Sequence, residues 1–274
     1  MYKKIVKSKL LIGMMICGLL VGCTANNQSQ SSKSQDTTTT IEESVVEDNA
    51  TDNMAGVPAP DDVDVDTDTS QTTLTYIGHA SVKIVAKDGS VLLIDPNYDE
   101  WKWKEEDPDV VLVTHSHSDH APNFNLQMSD ECQLITYKEA LHQGEYESYD
   151  VEPFHIEAVP AGGNPNHDIK YCVGYLVTVD GITVYHAGDT SMIDQMADLK
   201  DKHIDYAMYP IDGVYNMDAI EATEVANLVG AVNNIPIHEL DDHQYDDTVA
   251  RKSEDFTPDR KLVIEYGETI VIGE

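Results

Sequence analysis

The chain has 274 residues, enough for one large domain of roughly 200 residues with an N-terminal extension. It carries 50 acidic side chains against 17 lysines and arginines, a formal net charge of −33. That charge repels phosphate backbones and anionic lipid alike. It argues against a nucleic-acid partner held by basic patches, and leaves any membrane contact to a covalent or hydrophobic anchor.

Lys3, Lys4, Lys7 and Lys9 precede an apolar run from Leu10 to Val21. The run is shorter than the ~20 residues of a spanning helix. It ends at Leu20-Val21-Gly22-Cys23, which resembles the lipobox of bacterial lipoprotein signal peptides. The resemblance implies that residues 1–22 are a signal peptide cleaved before Cys23. Cys23 would then carry diacylglycerol and further acyl chains such as palmitate, and the protein would be lipid-anchored on the outer side of the cell membrane. An ordinary secretory signal, or an uncleaved anchor with Cys23 incidental, is the alternative. Residues 23–72 follow as an acidic tether. Between Thr24 and Gln71 there are eleven acidic side chains and one lysine with few large apolar residues, too little to fold, so disorder is expected.

Periodicity changes at Thr73, where a single domain, residues 73–274, begins. Leu74–Ile77, Val82–Val85 and Val91–Ile94 read as strands, split by Gly78 and by the turn signal Asp88-Gly89. Asp109–Thr114 is an almost continuous apolar run, as in a strand buried on both faces. Further strands are expected at Cys132–Thr136, Phe154–Val159, Val173–Val179, Ile182–His186, Tyr206–Tyr209, Asn234–His238, Leu262–Glu265 and Thr269–Ile272. Met192, Ile193, Met196 and Leu199 fit one helix face, with Thr190 or Ser191 as N-cap. Asp218 with Glu221 forms a capping-box-like start to a helix that turns Ala222, Ala226 and Val229 inward. Two packed sheets with helices outside, an α/β architecture, fit this order; a plain doubly wound sheet competes. No internal repeat shows. Cys17 leaves with the signal. Cys132 and Cys172 either form a disulfide, which an extracytoplasmic site permits, or are two buried free thiols.

The chemistry concentrates in His115-Ser116-His117-Ser118-Asp119-His120, directly after the strand ending at Thr114. Three imidazoles and a carboxylate in six residues are hard to explain as packing. In an extended segment His115 and His117 project to the same side and can meet one ion, while Asp119 and His120 turn the corner toward a second. Neutral imidazoles with a carboxylate suit zinc, and also manganese or iron.

This run resembles the HxHxDH motif of the metallo-β-lactamase superfamily. Gly78-His79-Ala80-Ser81 and Leu93-Ile94-Asp95-Pro96 upstream resemble the opening strands of its L-ascorbate-6-phosphate lactonase-like branch. Downstream, His167, Tyr185-His186-Ala187-Gly188-Asp189-Thr190 and Pro236-Ile237-His238 follow in the family's order. The resemblance implies an αββα sandwich, two mixed β-sheets flanked by helices with the metals at one edge. It implies His115, His117 and His167 on a first metal, Asp119, His120 and His238 on a second, and Asp189 bridging two divalent ions, zinc foremost. The implied activity is hydrolysis of a small-molecule ester, lactone, amide or phosphodiester by metal-activated water, with Asp119 orienting the nucleophile or moving its proton. His79 is read as facing the substrate or supporting a ligand, with packing as the alternative. His155 competes with His167 as a ligand, although its strand pattern turns it to solvent. His186 is read as structural, His142, His203 and His243 as surface residues, and Trp101 and Trp103 as loop anchors or a lip. Tyr209–Met217 resembles the family's PIGGxYTM segment with Asp212 in place of a glycine, a carboxylate that would repel phosphorylated substrates or pair with cationic ones. Two other functions compete. One is a non-catalytic ligand-binding lipoprotein that retains its metals. The other is a di-iron oxidoreductase, which would have glutamate where His117 stands. Nothing in the sequence sets the oligomeric state.

Overall fold

The computed structural model describes residues 71–239 and 253–273; the proposed signal peptide, Cys23, residues 24–70 and His243 lie outside them. Thr72, assigned above to the tether, is buried, and its hydroxyl donates to Asp180 at 2.6 Å, so packing starts one residue before Thr73.

In chain order the strands are β1 (Thr73–Gly78), β2 (Ser81–Val85), β3 (Val91–Ile94), β4 (Val110–Val113), β5 (Gln133–Thr136), β6 (Leu141–His142), β7 (Glu145–Tyr146), β8 (Ser148–Val151), β9 (Phe154–Pro160), β10 (Val173–Val179), β11 (Ile182–His186), β12 (Tyr206–Pro210), β13 (Asn233–Ile237) and β14 (Glu268–Val271). They form two six-stranded sheets, ordered β14-β1-β2-β3-β4-β5 and β13-β12-β11-β10-β9-β8, with β6 and β7 as a separate pair. The same pairing pattern runs through both halves. β1, β2 and β3 are antiparallel and β3, β4 and β5 parallel; β9, β10 and β11 are antiparallel and β11, β12 and β13 parallel. The repeat is one of topology, carried by strand order, which is why residue identities did not show it.

The two sheets pack face to face. Leu74, Leu92 and Val110 from one and Val173, Val184 and Met208 from the other share one core, each burial contributing about 1.5–3 kcal/mol for side chains of this size. The outer face of the second sheet, through Leu176, Tyr185 and Tyr209, is covered by a helix α2 (Ala219–Val229) and by a 3₁₀ helix at Asp194–Lys202. The outer face of the first, through Leu93, Val111 and Val113, is covered by Tyr98 and Leu126 from irregular chain and by Trp103 of a three-residue 3₁₀ turn (Trp103–Glu105) rather than by a long helix. A four-residue helix α1 (Tyr137–Ala140) follows β5.

Three local readings are corrected. The segment after Thr190 is 3₁₀ rather than α-helical: Met196 and Leu199 are buried and Met192 is exposed, a period of three that suits three residues per turn, and no side chain caps it. Asp218 caps α2 as expected, accepting from Ile220 and Glu221 N–H groups, but Glu221 accepts from the Met192 N–H instead of closing a capping box. Leu262–Glu265 is no strand. Its neighbour Lys261 makes one parallel bridge to Asn234 at the edge of the second sheet. The chain then crosses to β14 in the first sheet, and the Glu265 N–H is taken by the Glu268 side chain, not by a ladder. The two cysteines in question, Cys132 and Cys172, are free thiols.

Tyr175 ties the layers. It is fully buried on β10, and its hydroxyl reaches the carbonyls of Val113 (3.1 Å) and Ile135 (3.2 Å) in the opposite sheet. Replacing it with Phe removes the buried donor that these carbonyls share. Tyr175→Phe should therefore lower unfolding free energy by about 1–2 kcal/mol, read as a shifted urea midpoint at unchanged slope. An unchanged midpoint would show that the bond between the sheets contributes nothing.

Candidate metal centre

The His-rich turn leaves β4 under the control of a buried carboxylate. Asp95, at the end of neighbouring β3, accepts from the Thr114 N–H (2.8 Å) and hydroxyl (2.7 Å) and meets Nδ1 of His120 at 2.7 Å. The Asn97 amide donates to the carbonyls of Ser118 and Ala121, so both ends of the turn are held. Asp189 arrives from the other sheet, three residues beyond β11. Gly188 before it has φ +63°, and a Cβ there would stand 2.8 Å from the Val173 carbonyl and 3.1 Å from Thr114. Only glycine lets the two strand ends come this close. His186 locks the same turn. Its Nδ1 accepts from the Gly188 N–H, so its Nε2 donates to the Ala80 carbonyl at 2.9 Å, which makes it a neutral structural residue as expected.

His167 sits in the loop between β9 and β10. The Asn164 side chain accepts from the N–H groups of Asn166 and His167, folding the loop back over Gly162. A Cβ on Gly162, φ +94°, would meet the His167 carbonyl at 2.7 Å. His238 follows β13 with φ +50°, and its N–H donates to the carbonyl of His79, itself at φ +53°. Two non-glycine residues in this sparsely populated region, facing each other with rings 3.8 Å apart, mark a place where packing overrides backbone preference.

Two groups of donor atoms result, each within 4.8 Å: His115, His117, His167 and Asp189; and His79, Asp119, His120 and His238. Asp189 reaches both. Its oxygens lie 3.1 Å from His167, 3.3 Å from His120, 3.4 Å from His238 and 3.9 Å from His115. Nδ1 of His117 is 3.3 Å from Nε2 of His167. Ligands on a tetrahedral ion with bonds of about 2.0–2.1 Å stand about 3.3 Å apart, so these spacings fit metal ligands. Nε2 of His115, His120 and His238 and Oδ1 of Asp189 are buried with no hydrogen-bond partner. Desolvated donors aimed at common points fit divalent ions.

The electrostatics agree. Burial and the neighbouring His120 push His115 down to about 3, and burial and His238 push His79 down to about 4. Burial opposes charge on His238 too, but Asp189 and Asp212 overcome it and raise that group to about 9. His120 is raised for the same reason by Asp189 and Asp95. Asp189, despite its burial, is held well below the usual carboxylate range by His120 and His238. Asp119 is likewise lowered against burial, chiefly through the His79 hydrogen bond at 3.1 Å.

All seven residues expected as ligands thus converge, and His79 lies in the second group beside Asp119. His155 does not approach the site; it is half exposed on β9 and pairs with Asp150 at 2.6 Å. His142 and His203 are exposed. Trp103 is buried with its indole donating to the Tyr98 carbonyl, and the Trp101 indole donates to Glu106, so both anchor the loop. The expectation for Asp212 is overturned. It is buried and faces Nδ1 of His238 at 3.2 Å, so its charge is directed at a histidine and not at substrate. The sequence reading assigned no role to Asp95. An ionisable residue closing an apolar strand was the available signal.

A family model described as a beta-lactamase superfamily domain matches residues 73–238. A UPF0173 metal-dependent hydrolase of Methanoregula boonei is 34% identical over 181 residues, covering 60% of this chain and 81% of the relative. A solved structure from Parabacteroides distasonis, named for a metal-dependent hydrolase, is 28% identical with a TM-score of 0.59, covering 72% of this chain and 94% of its own. The metallo-hydrolase Igni18 of Ignicoccus hospitalis, 23% identical over 74% of this chain and 99% of its own, with a TM-score of 0.57, shares the fold. The chain therefore belongs to the metallo-β-lactamase superfamily, in the UPF0173 metal-dependent hydrolase family.

Proposed function

We propose that this hydrolase cleaves a small-molecule ester, lactone, amide or phosphodiester at a centre of two divalent ions, zinc first among zinc, manganese and iron. The observation that carries the reading is Asp189, one buried carboxylate within 4 Å of four imidazoles drawn from both donor groups. His115, His117 and His167 would hold one ion, Asp119, His120 and His238 the other, and Asp189 both. Such a pair supplies Lewis acidity toward the scissile group and acidifies water near neutral pH. The protein's part is placement. Asp95 orients His120, and Asn164 with Gly162 presents His167. Asp119 is the partly exposed carboxylate of the cluster, and His79 fixes its Oδ2 at 3.1 Å. From there Asp119 can orient an attacking water and take its proton.

Location is part of the proposal. The sequence Leu20-Val21-Gly22-Cys23 supports a lipid anchor outside the cytoplasmic membrane, with residues 24–70 as the spacer. Cys23→Ser should release the protein into the soluble fraction on membrane fractionation; a fully membrane-bound variant would contradict the anchor.

The chemical reading is tested by elemental analysis and turnover on a panel of generic esters, lactones and phosphodiesters. Chelator should abolish turnover and zinc or manganese restore it. Asp189→Ala should lower turnover by more than the roughly 10–100-fold typical of lost supporting residues. His167→Ala should lower metal content and His155→Ala leave it intact. Turnover that survives complete metal removal, or metal loss in His155→Ala but not in His167→Ala, would overturn the assignment.

A further inference from the structure

The two donor groups differ in what stands behind their imidazoles. In the first, His115 has the neutral Thr114 hydroxyl at 3.1 Å on Nδ1, Nδ1 of His167 is buried with neither a hydrogen-bond partner nor a carboxylate in ion-pair range, and His117 is exposed. Apart from Asp189, no carboxylate among the described residues lies in ion-pair range of these three. In the second, His120 and His238 each have a buried carboxylate near the ring nitrogen away from the centre: Asp95 hydrogen-bonded to Nδ1 of His120 at 2.7 Å, and Asp212 at 3.2 Å from Nδ1 of His238, a charge contact without hydrogen-bond geometry.

Asp212 is built for this. Its Oδ1 accepts from the N–H groups of Val214 and Tyr215, both at 2.7 Å. Its Oδ2, the oxygen facing His238, also accepts from the Asn216 amide at 2.7 Å. The loop after β12 thus closes around one carboxylate and fixes it against His238. No lysine or arginine among the described residues pairs with it; the charge is directed at the imidazole. A carboxylate behind a ligating imidazole fixes the tautomer, raises the basicity of the other nitrogen and adds a near anion to a dication's field.

We propose that Asp212 is a positioning residue for the second metal position and that, with Asp95, it makes the His120–His238 position the one that fills first and holds its ion more tightly. The first position, with neutral backing, is the exchangeable one. This rests on the two-metal reading above.

The full chain, stripped by chelator, is titrated with Co(II) and followed by visible absorption and calorimetry. Two steps of unequal affinity are expected. His117→Ala should remove the weaker step and spare the tighter; His238→Ala should do the reverse. Asp212→Asn, which keeps the shape of the side chain and removes its charge, should weaken the tighter step by about 10–100-fold, alter its absorption bands and leave the weaker within about threefold. Equal steps, loss of the tighter step in His117→Ala, or an Asp212→Asn titration like wild type would each overturn the proposal. The filling order is read from the histidine variants alone, so the test stands even if Asp212→Asn fails to fold. Two bound ions without turnover on any substrate would count against the hydrolase reading and leave this inference standing. Turnover with the opposite filling order would do the reverse.

Discussion

Everything in this protein converges on the position of one carboxylate. Asp189 is 3% exposed and surrounded by His115, His120, His167 and His238, each within 4 Å. A buried ionised carboxylate is costly unless charge or hydrogen bonds compensate it. Here imidazoles are the compensation, and they are themselves desolvated and unable all to be protonated together. Cations in the space between would complete that compensation.

The fold makes that arrangement natural. Each half contributes three parallel strands whose C-terminal ends open on the same edge. Asp95 follows β3, His115–His120 follows β4, Asp189 follows β11, Asp212 follows β12 and His238 follows β13. Ligand sites in α/β sheets collect at strand carboxyl ends because the loops there are free to carry function while the strands hold them rigid. The cost of crowding shows in the backbone, in the positive φ of His79, Asp95 and His238 and in the glycine at 188 that no side chain can replace. Three non-glycine residues in this sparsely populated region stand at the centre, which is expected where packing holds chemistry in place.

Much of this could be read from residues. The hexad His115–His120 is contiguous, so its local spacing alone announced metal ligands, and the continuous apolar run before it announced the buried strand. Strand alternation placed His155 outside and left His167 in a loop. What the sequence could not show were pairings across distance. Asp95 meets His120 and Asp212 meets His238 only because β3 lies beside β4 and β12 beside β13. Local pattern also misjudged Asp212, because exposure of a loop carboxylate is decided by how the loop closes on itself. Met192, Ile193, Met196 and Leu199 have α-helical spacing, but in the 3₁₀ segment Asp194–Lys202 only Met196 and Leu199, three apart, are buried, and Met192 is exposed. Leu262–Glu265 has strand-like composition, yet its Leu262 N–H reaches the Asn234 carbonyl while its Glu265 N–H turns to the Glu268 side chain, and no ladder forms.

The central claim is that Asp189 stands between two metal ions. Anomalous diffraction from crystals of the zinc-loaded protein, collected on either side of the zinc absorption edge, tests it most directly. The account predicts two peaks roughly 3.5–4 Å apart flanking Asp189, one among His115, His117 and His167 and the other among Asp119, His120 and His238. A single peak at full zinc loading, or a pair that does not share Asp189, would contradict it.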